Sequence, residues 1–325
     1  LTDGAHVPVL VDESIAALAI RSEGTYVDAT FGRGGHARRI LDALSSRGRL
    51  VALDRDPDAE RAARSFDDPR FDFRRAWFSE LPAALQSLAI ARVDGVLLDL
   101  GVSSPQLDDA ARGFSLRADG PLDMRMDPSR GESAAAFIAR ADVRELTEVL
   151  RDYGEERFAQ SIARAIVAAR TSAAIVGTRQ LAAIVAKAVG ARTRGDWSQD
   201  PATRTFQALR IFVNRELEEL SLALPRIVLL LNEGGRVAVI SFHSLEDRIV
   251  KRFFAAASQP FGGDARLARA PIAAAALPGA PLARIGRAIR AGAAEVSANP
   301  RARSATLRVA ERTAHPIPAQ WPPSA

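Results

Sequence analysis

The stretch Tyr26-Val-Asp-Ala-Thr-Phe-Gly-Arg-Gly-Gly-His-Ala37 decides the fold. Its first five residues read as a short buried strand, the glycine cluster 32–35 as a tight turn, and 37–44 as a helix. Outward from it the alternation continues, with strands at 50–53, 71–74 and 96–98 and helices at 58–65 and 81–88. Asp54 and Asp99 close the second and fourth of these strands. Strands separated by helices of this length imply right-handed crossovers and a parallel sheet covered on both faces.

The pattern changes after residue 110. Residues 113–131 are turn-rich, with Gly120-Pro121 and Asp127-Pro128, and only helices follow. Asp142 with Glu145 makes a capping box for a helix over 142–154, and two more are expected at 155–170 and 179–189. Asp200-Pro201 opens a longer helix whose apolar stripe runs Phe206, Leu209, Val213, Leu217 and Leu220. Sheet returns at 236–242, Ser244 with Asp247 caps a helix through Phe254, 270–283 reads as loop, and 306–310 alternates like a last strand. The expected fold is therefore α/β, a doubly wound, mostly parallel sheet. Residues 1–110 and 201–325 form it, and an all-helical domain is inserted at 111–200.

The glycine turn also carries chemistry. Gly32-Arg33-Gly34-Gly35-His36-Ala37 between strand and helix matches a dinucleotide fingerprint with alanine at the third small position, and Asp54 lies where a carboxylate can accept ribose hydroxyls. Asp28, just before the turn, would repel a pyrophosphate. S-adenosylmethionine instead presents an ammonium and a sulfonium, which Asp28 and Asp99 at neighbouring strand ends would face favourably. That cofactor is the better physical fit.

Composition narrows the remaining classes. With 325 residues, 47% hydrophobic and 26% charged, the chain is neither disordered, collagenous nor coiled coil. The absence of cysteine excludes a disulfide scaffold, a thiolate nucleophile and sulfur-ligated zinc. The longest uncharged stretch, 270–283, holds three prolines and cannot span a membrane; the first thirty residues show no signal-peptide pattern, so a cytoplasmic location is expected. Of the 44 basic residues only Lys187 and Lys251 are lysines. A GC-rich genome accounts for that total, alanine being abundant too, but the placement is informative. Residues 264–312 hold nine arginines against Asp264, Glu295 and Glu311, which suits a polyanionic partner.

Five runs, Asp28-Ala-Thr-Phe-Gly-Arg-Gly-Gly-His36, Leu98-Asp-Leu-Gly-Val-Ser-Ser-Pro-Gln-Leu-Asp108, Gly120-Pro-Leu-Asp-Met-Arg-Met-Asp127, Tyr153-Gly-Glu-Glu-Arg-Phe158 and Ser241-Phe-His-Ser-Leu-Glu-Asp-Arg248, closely resemble one family. It is the bacterial small-subunit ribosomal RNA (cytosine-N4) methyltransferase family, which modifies cytosine 1402 of 16S RNA. The resemblance extends from about His6 to Thr313. It implies a Rossmann-like class I methyltransferase domain with a helical substrate domain, S-adenosylmethionine as cofactor, and 16S RNA of the 30S subunit as partner. Carried over residue by residue, it implies cofactor contacts at Gly34, Gly35, His36, Asp54, Phe78, Asp99 and Gln106.

Methyl transfer to an exocyclic amine calls for an acceptor that draws the lone pair out of conjugation with the ring. The segment after the fourth strand keeps Ser104-Pro105 but has Gln106 where many amino methyltransferases place an aromatic, so Asp99 and Ser104 are both candidates. His243 reads either as a structural cap or as a substrate contact, and Arg301 and Arg303 as phosphate contacts. Asp119, Asp123 and Asp127 interleave with Arg117, Arg125 and Arg130 and meet no calcium-loop spacing, so a salt-bridged loop and no metal are expected. Two other readings stay open on the residues: a nicotinamide-dependent oxidoreductase and a non-catalytic RNA-binding assembly factor.

Overall fold

The computed structural model describes residues 8–190, 200–260, 279–319 and 321–323. In chain order the elements begin α1 (Val11–Leu18), β1 (Thr25–Asp28), α2 (Gly35–Ala43), β2 (Arg49–Asp54), α3 (Pro57–Ala63), β3 (Phe71–Arg75), α4 (Leu81–Ser87) and β4 (Val93–Asp99). Six helices follow: α5 (Ser104–Asp108), α6 (Ala134–Arg140), α7 (Val143–Gly154), α8 (Ala159–Arg170), α9 (Thr178–Gly190) and α10 (Thr203–Val213). Then come α11 (Glu216–Leu230), β5 (Leu231–Ser241), α12 (Ser244–Ala257), β6 (Leu282–Arg290), α13 (Ala293–Ala298) and β7 (Thr306–Arg312).

The chain divides into two compact units, Leu1–Gly101 with Leu217–Ala325, and Val102–Glu216. The first holds a seven-stranded sheet in the order β3-β2-β1-β4-β5-β7-β6, parallel except where β7 runs antiparallel to β5 and β6. This is the doubly wound, mostly parallel α/β sheet expected. The chain steps outward from β1 to β3 and then returns to the other side of β1 with β4, so the topological switch point lies between β1 and β4. Alternation along the strands supplies both faces. Val27, Val51, Val96, Leu98 and Val239 pack against α4, α11 and α12 residues, whereas Tyr26, Leu50, Leu97 and Ile240 pack with Leu18 and Ile40 on the other side.

The helical unit has its own core, in which Phe137, Leu146, Leu150, Ile162, Leu181, Phe206 and Leu209 are buried together. The insertion is wider than 111–200. Leu107 of α5 and Phe206 and Leu209 of α10 pack into this core, which carries both helices into the helical unit.

Three expectations need correction. The single helix from residue 200 is two, because Arg215 adopts a left-handed backbone (φ 50°) and Asn214 turns its amide to the Met124 carbonyl and the Met126 N–H. Ser244 is not the cap of α12; His243 is, accepting the Glu246 N–H, while Asp247 pairs with Arg308. The loop expected at 270–283 gives way at Leu282 to β6, an exposed edge strand. Residues 261–278, with Arg266 and Arg269, lie outside the described residues. No described helix is long and apolar enough to cross a membrane.

Leu97 is fully buried on β4, between β1 and β5. Leu97→Ala is expected to cost about 2–5 kcal/mol, the range for a large-to-small change in a packed core, read as a lower urea midpoint.

Candidate active site

Parallel strands bring their carboxyl ends to one rim, where β1, β2 and β4 end on Asp28, Asp54 and Asp99 and β5 ends on Ser241. Asp54 is the best satisfied of the acids. Its Oδ2 accepts the Gly32 N–H at 2.8 Å and its Oδ1 the Asp56 N–H at 2.9 Å, which ties the glycine turn to the end of β2. Asp28 Oδ1 accepts only the Thr30 N–H at 3.2 Å, and its Oδ2 is buried with no partner among the described residues. Asp99 Oδ1 is likewise buried and unpartnered among them.

These environments shift all three acids upward. Burial pushes the Asp28 carboxyl up to about 7, the Thr30 N–H opposing and the Asp54 charge adding to the rise. Burial also raises Asp54, against the pull of the Asp56 and Gly32 N–H groups. Asp99 is held well above the usual carboxylate range by burial first, then by the Asp28 and Glu246 charges.

Asp99 is anchored through its backbone and approached by one imidazole. Its backbone N–H donates to Thr30 Oγ1 at 2.6 Å, joining the segment after β1 to the end of β4, and its Oδ2 faces His36 Nδ1 at 3.6 Å. His36, on the first turn of α2, is buried, and its Nε2 lies 3.1 Å from the Val9 carbonyl oxygen. A carbonyl only accepts, so Nε2 carries a proton and Nδ1 is the atom turned to Asp99. On the β5 side both ring nitrogens of His243 face Glu246. Nδ1 accepts its N–H at 3.4 Å and Nε2 lies 3.2 Å from Oε1, while Glu246 Oε2 accepts the Phe242 N–H at 2.8 Å. His243 is thereby the cap of α12 through Nδ1, and its buried Nε2 makes no hydrogen bond among the described residues.

The glycine turn is packed as well as bent. Gly34 has φ +76° as the residue preceding α2, and a Cβ there would collide with the Phe31 and Phe66 rings; one on Gly35 would lie 2.7 Å from Pro8. Beyond β3 the Ala76 N–H donates to the Asp54 carbonyl at 3.0 Å, which brings the following residues beside the end of β2. There Trp77 takes the Arg55 guanidinium over its ring at 4.8 Å, and half-buried Phe78 opens a one-turn 3₁₀ helix, Phe78–Glu80.

In the helical unit Ser104 opens α5 and is buried, and Gln106 Oε1 accepts the Ser103 N–H at 2.8 Å as the far half of a capping box. Part of that amide is thus committed to its own helix. In the turn-rich loop Asp123 grips Arg125 at 2.8 Å and Asp127 lies 3.8 Å from Arg130, while Asp119 accepts the Arg179 N–H at 3.2 Å.

The sequence profile of the MraW methylase family matches residues 3–313. The chain belongs to the MraW methylase family. Among its relatives, the ribosomal RNA small subunit methyltransferase H of Thiobacillus denitrificans is 62% identical over 310 residues, covering 95% of this chain and 98% of that protein. The protein of the same name from Azoarcus sp. is 60% identical, covering 94% and 96%, and that from Neisseria meningitidis 57% identical, covering 97% and 95%. The family assignment thus spans both units.

Sequence reasoning missed Thr30, Glu246 and the Val9 carbonyl. Glu246 was detectable, because it falls on the arc of α12 that also carries Leu245, Val250 and Phe253, where a carboxylate is out of place. The Val9 contact joins residues 27 apart and has no local signature.

A carboxyl whose folded pKa exceeds its unfolded value binds its proton more tightly in the native state. Its stabilising effect is complete below the ordinary value of 3.8 and is lost as pH rises through about 7. Asp28→Asn should therefore gain stability over the wild type on going from pH 5 to pH 8. The expected gain is about 2–3 kcal/mol, because each tenfold fall in proton concentration below that of pH 5 costs the wild type about 1.36 kcal/mol until the buried carboxyl ionises. Urea midpoints at the two pH values measure it, and an unchanged difference would contradict the buried, unpaired carboxyl.

Proposed function

We propose that the protein transfers the methyl group of S-adenosylmethionine to the N4 amine of a cytosine in small-subunit ribosomal RNA, position 1402 of 16S RNA, in the cytoplasm. The substrate is the 30S subunit. The observation that carries this reading is the pair of orphaned, buried carboxylate oxygens, Asp28 Oδ2 and Asp99 Oδ1, at the switch-point rim. Buried acceptors without donors favour a cationic ligand and oppose a pyrophosphate, which supports an ammonium- and sulfonium-bearing cofactor over a nicotinamide dinucleotide.

S-adenosylmethionine, when bound, supplies an electrophilic methyl carbon on a positively charged sulfur. Asp54, whose two oxygens each keep capacity beyond one backbone N–H, accepts the ribose hydroxyls, and Phe78 covers the adenine. Gly34, Gly35 and His36 line the methionine end, where the start of α2, which no side chain of its N-cap residue closes, suits a carboxylate. Gln106 completes the cofactor contacts. Asp99 Oδ1 accepts an N–H of the target amine, frees its lone pair for attack and takes the proton released as the nitrogen–carbon bond forms and the sulfur–carbon bond breaks. A carboxyl raised above its usual range is a better proton acceptor near neutrality than an ordinary aspartate. Ser104 is the other candidate acceptor. The helical unit supplies RNA-recognition surface, and Arg301 and Arg303 contact phosphate.

The deciding experiment incubates the protein with labelled S-adenosylmethionine and unmodified 30S subunits and maps the product nucleoside. N4-methylcytidine at one position is expected, and no incorporation, or label on another base, would overturn the reading. Asp99→Asn should lower kcat by about 10²-fold or more, the scale of a lost transition-state hydrogen bond, with Ser104→Ala milder. The reverse order would move the acceptor to Ser104. Cofactor binding should also release protons near pH 7, because a cation favours the ionised forms of Asp28 and Asp99; calorimetry in buffers of different ionisation enthalpy reads this directly.

A further inference from the structure

The outer end of the sheet carries a basic surface that the methyl-transfer chemistry does not use. On β6, Arg284 is in register with Ala310 of β7 and Arg290 with Thr306. Residues paired across an antiparallel ladder point to one face, so Arg284 and Arg290 share a face with Arg308, which lies between those partners on β7. Arg308 holds Asp247 of α12 through bonds of 2.7 and 3.0 Å, so this is the face that α12 covers. Between the two arginines the edge strand bulges: Ile285 pairs with Val309 and Ile289 with Leu307, and Gly286 takes φ 64°. The excess is two residues, so alternation survives and both arginines stay on the α12 side.

α12 presents its own cations there. Its apolar stripe, Leu245, Val250, Phe253 and Phe254, packs on the core, and the opposite arc carries exposed Arg248, Lys251 and Arg252. Lys251 stands one turn beyond Asp247, on the flank turned to β7 and β6. Arg284 and Arg290 are also exposed. Asp247, the acid on that flank, is already neutralised by Arg308, and no ion pair holds Lys251, Arg252, Arg284 or Arg290 among the described residues.

We propose that the α12–β6 face is a docking surface for the ribose-phosphate backbone of the substrate RNA, an inference that rests on the RNA methyltransferase reading. Four exposed cations on a helix and a sheet edge, with the local acid already paired, are complementary to a polyanion. α12 begins directly after His243 at the end of β5, so the same helix runs from the catalytic rim to this surface.

The test is the fourfold variant Lys251→Gln, Arg252→Gln, Arg284→Gln, Arg290→Gln, assayed for KM on 30S subunits, for binding to 16S RNA across a salt series, and for S-adenosylmethionine affinity. Unchanged cofactor affinity and thermal midpoint are expected, with a raised KM and a slope of log K against log salt shallower by about 3, at about 0.7–0.9 per phosphate contact. The double variant Arg284→Gln, Arg290→Gln should show about half that change. Wild-type methylation with the same KM and slope in both variants would overturn the surface alone. A wild type that transfers no methyl, yet binds RNA with a salt dependence the variants lose, would overturn the function and keep the surface.

Discussion

Three carboxylates crowded at the ends of β1, β2 and β4 are the constraint on which the rest of the rim depends. Burying like charges together is unfavourable unless hydrogen bonds or protons offset them. Asp54 has two backbone N–H donors, Asp28 has one, and Asp99 keeps an oxygen with none among the described residues. That gradient runs from a satisfied acid at β2 to acids at β1 and β4 with an unmet acceptor oxygen among the described residues. The same bonds build the scaffold: Gly32 to Asp54 anchors the glycine turn to β2, and Asp99 to Thr30 anchors β4 to the segment after β1. Fold and candidate site therefore share their hydrogen bonds. A ligand that neutralises the unsatisfied acids stabilises the native state by mass action as well.

The β5 side adds a second restraint on the same acid. Glu246 is buried within the cap of α12, fixed by the Phe242 N–H and by His243, and its charge is one of the influences that hold Asp99 above the usual range. A motif read for its histidine thus acts on the rim through its glutamate. His243 caps α12 through Nδ1, which accepts the Glu246 N–H, while its buried Nε2 has no hydrogen-bond partner among the described residues.

What was legible in the sequence was local. Strand, glycine turn, helix and the acid at the next strand end lie within thirty residues, and hydrophobic periodicity with backbone sterics is enough to read them. The unread parts depend on distant partners. α1 starts at Leu10 in a left-handed conformation with no capping side chain of its own; the Leu10 N–H is met by Glu295, 285 residues away. The apolar stripe of the helix after residue 200 runs on unbroken through Leu217, so periodicity could not show the break at Arg215 that Asn214 fixes by reaching Met124 and Met126. β6 is an edge strand with a glycine inside it and arginine at three of nine positions, which erases the β signal while protecting the edge. At the candidate site, the strand-end positions of Asp28, Asp54 and Asp99 were readable, whereas the orientation of His36 needed Val9 and the commitment of Gln106 needed the cap of its own helix.

The preference for arginine over lysine has a structural side that composition alone conceals. Among the described residues, five α-helix ends are closed by an arginine from elsewhere in the chain: Arg236 reaches Ala17 at the end of α1, Arg70 reaches Leu41 and Leu44 at α2, Arg170 reaches Ala141 at α6, Arg204 reaches Glu155 at α7, and Arg92 reaches Leu229 and Leu231 at α11. Terminal carbonyls lack intrahelical donors and carry the negative end of the helix dipole, so a cation with N–H groups is the natural partner. Lysine could supply the charge, but two of these side chains do two things at once. Arg70 grips Asp68 through Nε and Nη2 while Nη1 serves the carbonyls of α2, and Arg236 bonds Glu311 through Nε while Nη1 serves α1. Holding a carboxylate and a helix end at fixed relative angles requires a rigid planar fork with donors on several edges, which an ammonium on a flexible stem lacks. Arginines spent this way are no longer available to nucleic acid, and that is why the total says little about RNA, whereas the exposed cations of α12 and β6, which close no helix, say more.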